Sequence, residues 1–588
     1  MANGHVVFWI CLGSACTSAP RSKDSTTGPL PPAADTAHPA STGNDQTSLP
    51  DDSGTPDDSD SSESPGPILP DERLTIEVGP LVTCASPDAR ETDGPFMAIE
   101  DTEGLGSIEH FPGGLPGATM SVAIGDLNGD SIVDVVHGKP DGPQVMLGLG
   151  DGHFRAAPEG AWPLADEART AVSGIVLADL DLDGDLDAVV TDRFRHPARY
   201  LNRGDGTFDA HWDLGAMPIE TGHHGPSLGD IDGDGHLDLL VGGHQISTYS
   251  TEAPTPPSPA SWYSLTTGQL VDHSDALPEV AHGGYTFVAA QIDLDDDGSP
   301  DAYFANDHGA FSPPNTLLRG SGSAPTRSLI PDTTASGLEV HMAAMAIAVG
   351  DLNDDGLPDL AVSNWGSPKL FLSEPGWGWF DAALARGLDH DPAATVGWGT
   401  DFGDFDNDGD LDVYMAFGIL PGGVDEHRPN PVEQADMFFE NKGDAFFESI
   451  GADLAIGDVH AGRTAMMVDL NADGFLDLYL GRQYRAPRVW MARCSDASWL
   501  SVKLTDASAN PQAYGAKVEV ETADGTLTRW IQGGGQSFGA SKPAEAHFGL
   551  DRADTVSVLR VTWPDGTVSE TRNLETRRAY HILRAASD

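Results

Sequence analysis

Seven short loops in this chain carry acidic or amide side chains at alternate positions, a spacing suited to binding a divalent cation. Each loop has nine residues, with an oxygen-bearing side chain at positions one, three, five and nine. Loops 1 to 7 read DLNGDSIVD (126–134), DLDLDGDLD (179–187), DIDGDGHLD (230–238), DLDDDGSPD (293–301), DLNDDGLPD (351–359), DFDNDGDLD (404–412) and DLNADGFLD (469–477). Carboxylates this close repel one another unless a cation lies between them. An all-oxygen set of this size favours Ca²⁺ over Mg²⁺.

Position seven of the loops varies in chemistry, which indicates that its backbone carbonyl, and not its side chain, is the ligand. We therefore predict up to seven bound Ca²⁺ ions, one in each loop. The predicted metal ligands are Asp126, Asn128, Asp130, Ile132, Asp134, Asp179, Asp181, Asp183, Asp185, Asp187, Asp230, Asp232, Asp234, His236, Asp238, Asp293, Asp295, Asp297, Ser299, Asp301, Asp351, Asn353, Asp355, Leu357, Asp359, Asp404, Asp406, Asp408, Asp410, Asp412, Asp469, Asn471, Asp473, Phe475 and Asp477.

Position six should form a sharp turn, because six of the seven loops have glycine there. Glycine reaches positive φ without steric strain. Loop 1 has Ser131 at this position, so we expect loop 1 to be the weakest of the seven sites.

Position twelve, counted from the start of each loop, distinguishes these loops from EF-hands, which close their metal shell with a glutamate there. Here position twelve is His137, Val190, Val241, Phe304, Val362, Met415 or Leu480. The shell must therefore close at the aspartate of position nine, and dockerin-type loops are excluded on the same spacing. Thrombospondin-type repeats share the nine-residue string but recur more closely and carry many cysteines. An acidic surface turn is the alternative for any single loop, and seven copies with the same ligand positions argue against it.

The spacing of the loops predicts the architecture. Successive loops start 53, 51, 63, 58, 53 and 65 residues apart, which suits a four-stranded propeller blade. A short β-branched or aromatic run follows each loop, and an Asp-Gly hairpin signal recurs further along, as in YLNRGDGTF (200–208). We predict an all-β protein with a seven-bladed β-propeller and a small C-terminal β domain. Six or eight blades remain alternatives if one loop is decorative or one blade lacks its loop.

Composition divides the chain into four parts. Residues 1–16 contain a short apolar run typical of a signal peptide, and LGSAC (12–16) loosely resembles a bacterial lipobox, with Cys16 as the lipidated residue. Residues 17–78 are rich in Ser, Thr, Pro and Asp and should form a disordered linker. The propeller is predicted at 79–495. The β domain is predicted at 496–588, where alternating apolar residues surround Asp-Gly turns.

The formal charge of −59 is concentrated in the loop region. Residues 17–72 contain two basic and eleven acidic residues, and residues 495–588 contain ten basic and twelve acidic residues, which leaves −48 in residues 73–494. Such a negative field argues against binding nucleic acid or anionic lipid. Self-repulsion of this size should destabilise the metal-free protein.

Two cysteines, Cys84 and Cys494, bracket the loop region. We predict a disulfide between them that joins the start of the propeller to its end, as expected for an exported protein. Two unpaired buried thiols are the alternative.

Catalytic patterns are weak. His223, His224, His244 and His460 lie near the loops in sequence but form no recognised metal-binding string, and we interpret them as structural. The string GQSFG (535–539) places Ser537 where a nucleophile elbow would have its serine, but no helix pattern follows it. The glycines at 533–535 are interpreted as a loop and not as a phosphate cradle.

The C-terminal pattern WLSVKL, YGAKVEV, GGGQSF, HFGL and VTWPDG resembles the ASPIC/UnbV domain, and the loops with their GDGTF hairpins resemble FG-GAP/VCBS repeats. Together they resemble the CRTAC (cartilage acidic protein-like) family over roughly residues 80–585. The family's usual Asn-Arg-x-Gly is Asn510-Pro511-Gln512-Ala513 here, so no role of that arginine carries over.

The resemblance implies an extracellular calcium-binding propeller, similar also to the integrin α-subunit head, without catalytic residues. We therefore expect a secreted or cell-envelope binding or adhesion module for a protein or a glycan, attached to a membrane only if Cys16 is lipidated. The alternatives are a propeller-based enzyme, such as a polysaccharide lyase or a phosphatase, and a purely structural envelope protein.

Overall fold

Strands dominate the part of the chain that the structure describes. The computed structural model describes residues 73–586 apart from 100–120, 139–141, 164–171, 194, 216–221, 245–256, 267, 310–311, 377, 389–394, 419–433, 452–453, 455 and 484. Its helical segments are α1 (Asp88–Asp93) and two 3₁₀ turns at Ser274–Ala276 and Glu279–His282. No helix among these residues is long and apolar enough to cross a membrane. The predicted leader, with Cys16, and the linker up to residue 72 lie outside the described residues.

Seven antiparallel four-stranded sheets follow one another along the chain. Among the described residues, two strands precede sheet 1, β1 (Leu74–Val78) and β2 (Phe96–Ala98). Sheet 1 contains β3 (Val122–Gly125), β4 (Asp134–His137), β5 (Gln144–Gly148) and β6 (Phe154–Ala156). Sheet 2 contains β7 (Val172–Ala178), β8 (Asp187–Asp192), β9 (Arg195–Asn202) and β10 (Phe208–His211). Sheet 3 contains β11 (Gly222–Gly229), β12 (Asp238–His244), β13 (Ser261–Ser264) and β14 (Val271–Asp272).

The next four sheets repeat this order. Sheet 4 contains β15 (Thr286–Ile292), β16 (Asp301–Asn306), β17 (Thr316–Ser321) and β18 (Ser328–Pro331). Sheet 5 contains β19 (Ala344–Gly350), β20 (Asp359–Asn364), β21 (Lys369–Glu374) and β22 (Gly378–Asp381). Sheet 6 contains β23 (Gly397–Gly403), β24 (Asp412–Phe417), β25 (Met437–Asn441) and β26 (Phe447–Ser449). Sheet 7 contains β27 (Gly462–Val468), β28 (Asp477–Arg482) and β29 (Arg488–Ala492), and its fourth strand is β2.

Each predicted loop joins the first strand of a sheet to the second. In all seven sheets the first strand ends one residue before position one, and the second strand begins with the aspartate of position nine. The apolar runs that follow the loops in sequence are thus the second strands, as the pattern predicts. All seven second strands are buried almost throughout, which fits strands packed on both faces.

Apolar side chains fill the space between successive sheets. Six clusters join sheet 1 to sheet 2 and so on up to sheets 6 and 7. A seventh cluster packs Met466 and Tyr479 of sheet 7 against Val122 and Met146 of sheet 1. The arrangement of the seven sheets is propeller-like.

The C-terminal domain is a second β unit. Its strands are β30 (Trp499–Asp506), β31 (Lys517–Glu521), β32 (Thr526–Trp530), β33 (Gly533–Gly534), β34 (Ala540–Ser541), β35 (Glu545–Gly549), β36 (Thr555–Thr562), β37 (Val568–Glu575) and β38 (Arg578–Arg584). They form two four-stranded sheets, in the orders β1-β38-β30-β35 and β32-β31-β36-β37. The exceptions are β33 and β34, which join sheets 3 and 1.

The predicted linker 17–78 is too long at its C-terminal end. Residues 74–78 form β1, which pairs antiparallel with β38 along its whole length. Leu74 and Ile76 pack against the core of the C-terminal domain, and this burial offsets the entropy of ordering the segment. A disulfide joins Cys84 and Cys494, whose Cα atoms are 5.5 Å apart, and so connects the segment before sheet 1 to the end of sheet 7.

Candidate metal centres

The aspartate at position one organises the backbone of every loop. Its Oδ2 accepts the backbone N–H of position six at 2.7–3.1 Å in all seven loops. Its Oδ1 accepts a second N–H, as from Gly129 to Asp126 and from Asp183 to Asp179. Backbone donors therefore stabilise the ionised carboxylate and curl the loop around it.

Positions five and nine are fixed in the same way in every loop. The position-five Oδ1 accepts the N–H of position seven at 2.8–3.0 Å. The position-nine Oδ2 accepts the N–H of position two at 2.8–3.2 Å. In six sheets its Oδ1 also accepts an N–H from the third strand, at 2.7–2.8 Å. Position nine thus ties the loop to its sheet.

Carboxylates converge in four loops. One oxygen from each of three aspartates lies within 4.8 Å of the other two at positions one, three and nine of loops 2 and 6, and at positions one, three and five of loops 3 and 4. These are the four loops with aspartate at position three. Loops 1, 5 and 7 have an asparagine there (Asn128, Asn353 and Asn471), which offers an amide oxygen instead.

Position six has positive φ in all seven loops, as the glycine pattern predicts. The six glycines have φ between 81° and 109°, and Ser131 of loop 1 has φ 66°. Position four is also left-handed in every loop, which the sequence analysis did not predict. Only Gly129 and Gly233 are glycines at that position, and the others include Leu182 at φ 65°.

Burial raises the pKa of the position-nine carboxyls. The pKa of Asp134 is raised to about 6, that of Asp187 to about 7 and those of Asp238 and Asp359 to about 8, with desolvation as the largest cause. Nearby loop carboxylates raise these values further. For a charged carboxylate to persist here at neutral pH, a compensating cation is needed.

Protein cations supply part of this compensation. Arg319 lies 2.8 Å from Asp295 and 3.1 Å from Asp301 in loop 4. Arg529 of the C-terminal domain is buried, and its electrostatic partners are Asp404, Asp351, Asp354 and Asp410 of loops 5 and 6. Within the described part of the chain, most of the other loop carboxylates form no salt bridge with a lysine or an arginine.

The C-terminal domain lies on the face of the sheets that carries the loops. The backbone N–H of Asp179 donates to Gln512, and Lys517 contacts Asp296 at 3.0 Å. His236 bridges to Ala509. Further contacts join Asp551 to Asn407 at 2.7 Å and His547 to Gly474 at 3.1 Å. Together with Arg529, these contacts involve loops 2 to 7.

Residues 533–541 of the C-terminal domain contact the first strand of every sheet. The segment pairs with β11 and β3 through β33 and β34, and Phe538 packs on Phe287 of β15 and Trp398 of β23. Ser537 donates its N–H to Ile347 of β19 and its hydroxyl to Ala465 of β27. A Cβ at Gly539 would lie 2.6 Å from the Ser173 carbonyl of β7.

Ser537 therefore has a structural position. Its side chain is 2 % exposed, its hydroxyl is hydrogen-bonded to the Ala465 backbone, and strand β34 follows it instead of a helix. The absence of a helix pattern after GQSFG indicated that this string is not a nucleophile elbow, and strand β34 at that place agrees with it. Beside it lies a cavity of about 100 Å³, lined by Asp401, Lys542 and Glu545 among others.

Three of the four histidines singled out in the sequence lie together on the opposite face, at the ends of strands β11 and β12 away from loop 3. His224 and His244 have ring centroids 5.3 Å apart, and His223 is adjacent in β11. Burial lowers the pKa of His223 to about 4, and that of His224 is lowered by burial and then by Arg193. His460 lies elsewhere and contacts Asp458 at 2.8 Å.

Two family models match this chain. An FG-GAP-like repeat model matches residues 126–190, 179–241, 293–362 and 351–415, and an ASPIC and UnbV model matches residues 506–588. The first includes loops 1 to 6, and the second covers most of the C-terminal domain.

The chain is also similar to cartilage acidic proteins. Cartilage acidic protein 1 of Xenopus tropicalis is 27% identical over 532 residues, 82% of this chain and 75% of that protein. The Mus musculus protein is 28% identical over 276 residues, 45% of this chain and 40% of that protein, so this chain spans less than half of it. The biofilm matrix protein Bap1 of V. cholerae matches 80% of this chain and 74% of its own at 14% identity, with a TM-score of 0.28. The repeats, the C-terminal domain and the relatives together confirm the resemblance of this chain to the CRTAC (cartilage acidic protein-like) family.

Proposed function

We propose that the seven sheets are the blades of one closed seven-bladed propeller. Three observations support closure: the apolar cluster between sheets 7 and 1, the insertion of β2 into sheet 7, and the contacts of residues 533–541. A nine-residue segment reaches seven first strands only if those strands surround it. Closure also removes exposed sheet edges.

We propose that each loop binds Ca²⁺ through the residues predicted from the sequence. The observation that carries this proposal is the shared hydrogen-bond network, which orients the carboxylates of positions one, five and nine alike in all seven loops. The donors are all oxygens, which suits Ca²⁺. Filling every loop would neutralise about 14 negative charges, at two per ion.

Calcium uptake by the full chain tests this proposal. Protein treated with a chelating resin should take up several and at most seven Ca²⁺ per chain in equilibrium dialysis. Asp404→Asn should remove one of them, because loop 6 brings Asp404, Asp406 and Asp412 together. The matched control is Asp205→Asn, an aspartate in the hairpin turn between β9 and β10 that caps Thr207. A stoichiometry of zero, or equal losses in both variants, would contradict calcium binding.

We propose that the loaded protein is an exported binding module for a protein or a glycan. The disulfide is of the kind found in oxidising compartments. The loop face is occupied by the C-terminal domain, so the face that carries the histidines is the one available to a partner. A binding role is consistent with the loops, because their carboxylates accept backbone hydrogen bonds and, in this proposal, bind metal, so they are not available for catalysis.

Screening the calcium-loaded chain against glycan and extracellular-protein arrays tests this function. The expected result is a ligand that binds loaded protein and not resin-treated protein. The control is a variant with a charge reversed on the loop face, Lys517→Glu, which should bind as wild type does. Turnover of a polysaccharide or a phosphate ester by the loaded chain would contradict the binding role and favour the enzymatic alternative.

A further inference from the structure

Three side chains with metal-ligating atoms meet on the face opposite the loops, between sheets 3 and 4. They are His244, Asp307 and His308, and one ligand atom of each lies within 4.8 Å of the other two. The Asp307 carboxylate is 3.6 Å from His244 Nε2 and 3.8 Å from His308 Nε2. These distances are too long for hydrogen bonds. They are near the separation of about 3.4 Å expected for two ligands on one tetrahedral ion with bonds of about 2.1 Å.

The His244 side chain is buried without a hydrogen-bond partner among the described residues. It is 2 % exposed, and neither Nδ1 nor Nε2 has a partner within hydrogen-bond distance, since the Asp307 carboxylate lies 3.6 Å from Nε2. Buried polar groups are rarely left in this state, because the hydrogen bonds to water that they lose on burial are then not replaced. Its ring is held by stacking on Phe287 at 4.1 Å. A metal ion bound at Nε2 would satisfy a nitrogen that accepts or donates no hydrogen bond within the described part of the chain.

The other two ligands are positioned by the end of β16. The backbone N–H of Asp307 donates to the Tyr285 carbonyl at 2.8 Å, and that of Gly309 donates to the Met342 carbonyl at 3.1 Å. Between them His308 has a left-handed backbone, with φ 67°. This conformation turns its ring edge-on to Tyr285 at 4.5 Å and towards His244 at 5.7 Å. The His308 side chain is 20 % exposed, so an ion can reach the group from solvent.

We propose that His244, Asp307 and His308 form a second class of metal site, which takes a transition-metal ion such as Zn²⁺ and not Ca²⁺. Two imidazoles with one carboxylate are ligands for Zn²⁺ and similar ions, whereas Ca²⁺ prefers oxygen. Three protein ligands leave at least one coordination position open, as in zinc sites that bind water or an exogenous ligand. The site lies on the face that we propose is available to a partner. The evidence for the site is the geometry of its three side chains and does not depend on that proposed function.

The test uses the full chain with excess Ca²⁺, so that the loops are filled, and Zn²⁺ alone as the probe. Titration against a chromophoric chelator should show one Zn²⁺ per chain. His308→Asn should weaken that binding at least tenfold; asparagine tolerates the left-handed backbone and the position is partly exposed. His460→Asn is the matched control, because His460 also contacts an aspartate, Asp458. This variant should bind Zn²⁺ as tightly as wild type does. Asp307→Asn provides a second variant if His308→Asn lowers the yield of folded protein.

Co²⁺ in place of Zn²⁺ adds a spectroscopic readout. Wild type and His460→Asn should show visible ligand-field absorption of a low-coordinate Co²⁺ site, and His308→Asn should lose it. Zn²⁺ uptake that is equal in wild type and His308→Asn, or absent from wild type, would overturn the proposal and leave an ordinary buried histidine–aspartate contact. Calcium binding by the loops would be unaffected by that outcome, so the two proposals fail separately.

Discussion

The two faces of the sheets differ in whether their features are repeated from sheet to sheet. On the loop face, one nine-residue design occurs seven times with the same hydrogen bonds, and the C-terminal domain covers it. On the opposite face, the ends of sheets 3 and 4 carry a histidine–aspartate group. A feature repeated in every sheet serves the fold that all the sheets share. A feature confined to one place is where recognition of a particular ligand can differ, and loops at such places generally carry specificity.

Removing Ca²⁺ should have the largest effect and should act through the loop face. Each filled site contributes about 2.7 kcal/mol of stability at a Ca²⁺ concentration one hundred times its Kd. Several sites together make the resin-treated protein much less stable, with a Tm lower by tens of degrees or no cooperative transition. Differential scanning calorimetry with and without Ca²⁺ measures this, and Mg²⁺ at the same concentration is the control. Equal Tm values in all three conditions would remove the structural role assigned to the loop face.

The second effect is a dependence of the metal-free protein on pH. The carboxyls of Asp134, Asp187 and Asp238 have folded-state pKa values of about 6, 7 and 8, above the ordinary 3.8. The folded state therefore binds more protons than the unfolded state between these values. Stability from the protonated carboxyls is full below pH 3.8 and is lost as the pH rises through the folded values.

The metal-free protein should thus lose stability steadily from pH 5 to pH 8, whereas the calcium-loaded protein should not. Thermal unfolding of resin-treated protein over this range checks the slope, with loaded protein as the control at each pH. The stabilisation by Ca²⁺ should be larger at pH 8 than at pH 6. A metal-free protein that becomes more stable with rising pH would show that these carboxyls are already paired with protein cations.

Arg529→Met should come third, since it removes the cation shared by loops 5 and 6. The guanidinium is buried, donates to the Gly409 carbonyl at 3.4 Å and stacks over Phe548. Loss of one partner from a buried charge cluster costs about 3–5 kcal/mol. Urea unfolding of the loaded protein measures the change. The control is Arg572→Met, whose side chain is 62 % exposed beside Glu570 and should change stability little. A small effect of Arg529→Met would mean that bound metal alone neutralises these loops.

Ser537→Ala tests the segment that connects the C-terminal domain to all seven sheets. The hydroxyl donates a buried hydrogen bond to the Ala465 carbonyl at 3.0 Å. Removing the hydroxyl takes this hydrogen bond away from the carbonyl. We expect a loss of about 1–2 kcal/mol, since such unpaired groups cost that order. Ser557→Ala, at an exposed serine bonded to Glu521, is the control for unfolding. If Ser537→Ala abolished a hydrolytic activity without changing stability, the nucleophile interpretation would return.

Much of the loop face could be predicted from the sequence, and little of the opposite face. The loop pattern predicts strands from position nine and a left-handed position six, because Asp, Gly and apolar runs recur in register. It does not predict the left-handed position four, where residues as different as Leu182 and Asn407 lie. Nor does it predict the histidine group, because His244 and His308 lie in different sheets and share no local motif. Only the packing of sheet 3 against sheet 4 brings them together.

The insertion of residues 533–541 among the first strands of the sheets could not be predicted from the sequence either. The glycines at 533–535 predict a loop, but Gly533 and Gly534 form strand β33 against β11. The close approach of Gly535 and Gly539 to the strand carbonyls of Ala289 and Ser173 is a property of the assembled sheets. The strand β2 is a similar case. It lies before sheet 1 in the chain, yet it pairs with β29 as the fourth strand of sheet 7.

Ser131→Gly should have the smallest effect and the opposite sign. Ser131 has φ 66°, a conformation that costs a residue with a Cβ about 1–2 kcal/mol. Glycine removes this strain but loses more entropy on folding, so a gain of about 0.5–1 kcal/mol and tighter Ca²⁺ binding at loop 1 are expected. The reciprocal change, Gly184→Ser in loop 2, is a matched control. A Cβ there meets nothing within 4 Å, so the positive φ of 97° is what disfavours serine at this position. It should weaken loop 2 by a similar amount. If both changes left the binding isotherm unaltered, the turn at position six would not limit affinity, and the asparagine at position three of loop 1 would be the next difference to test.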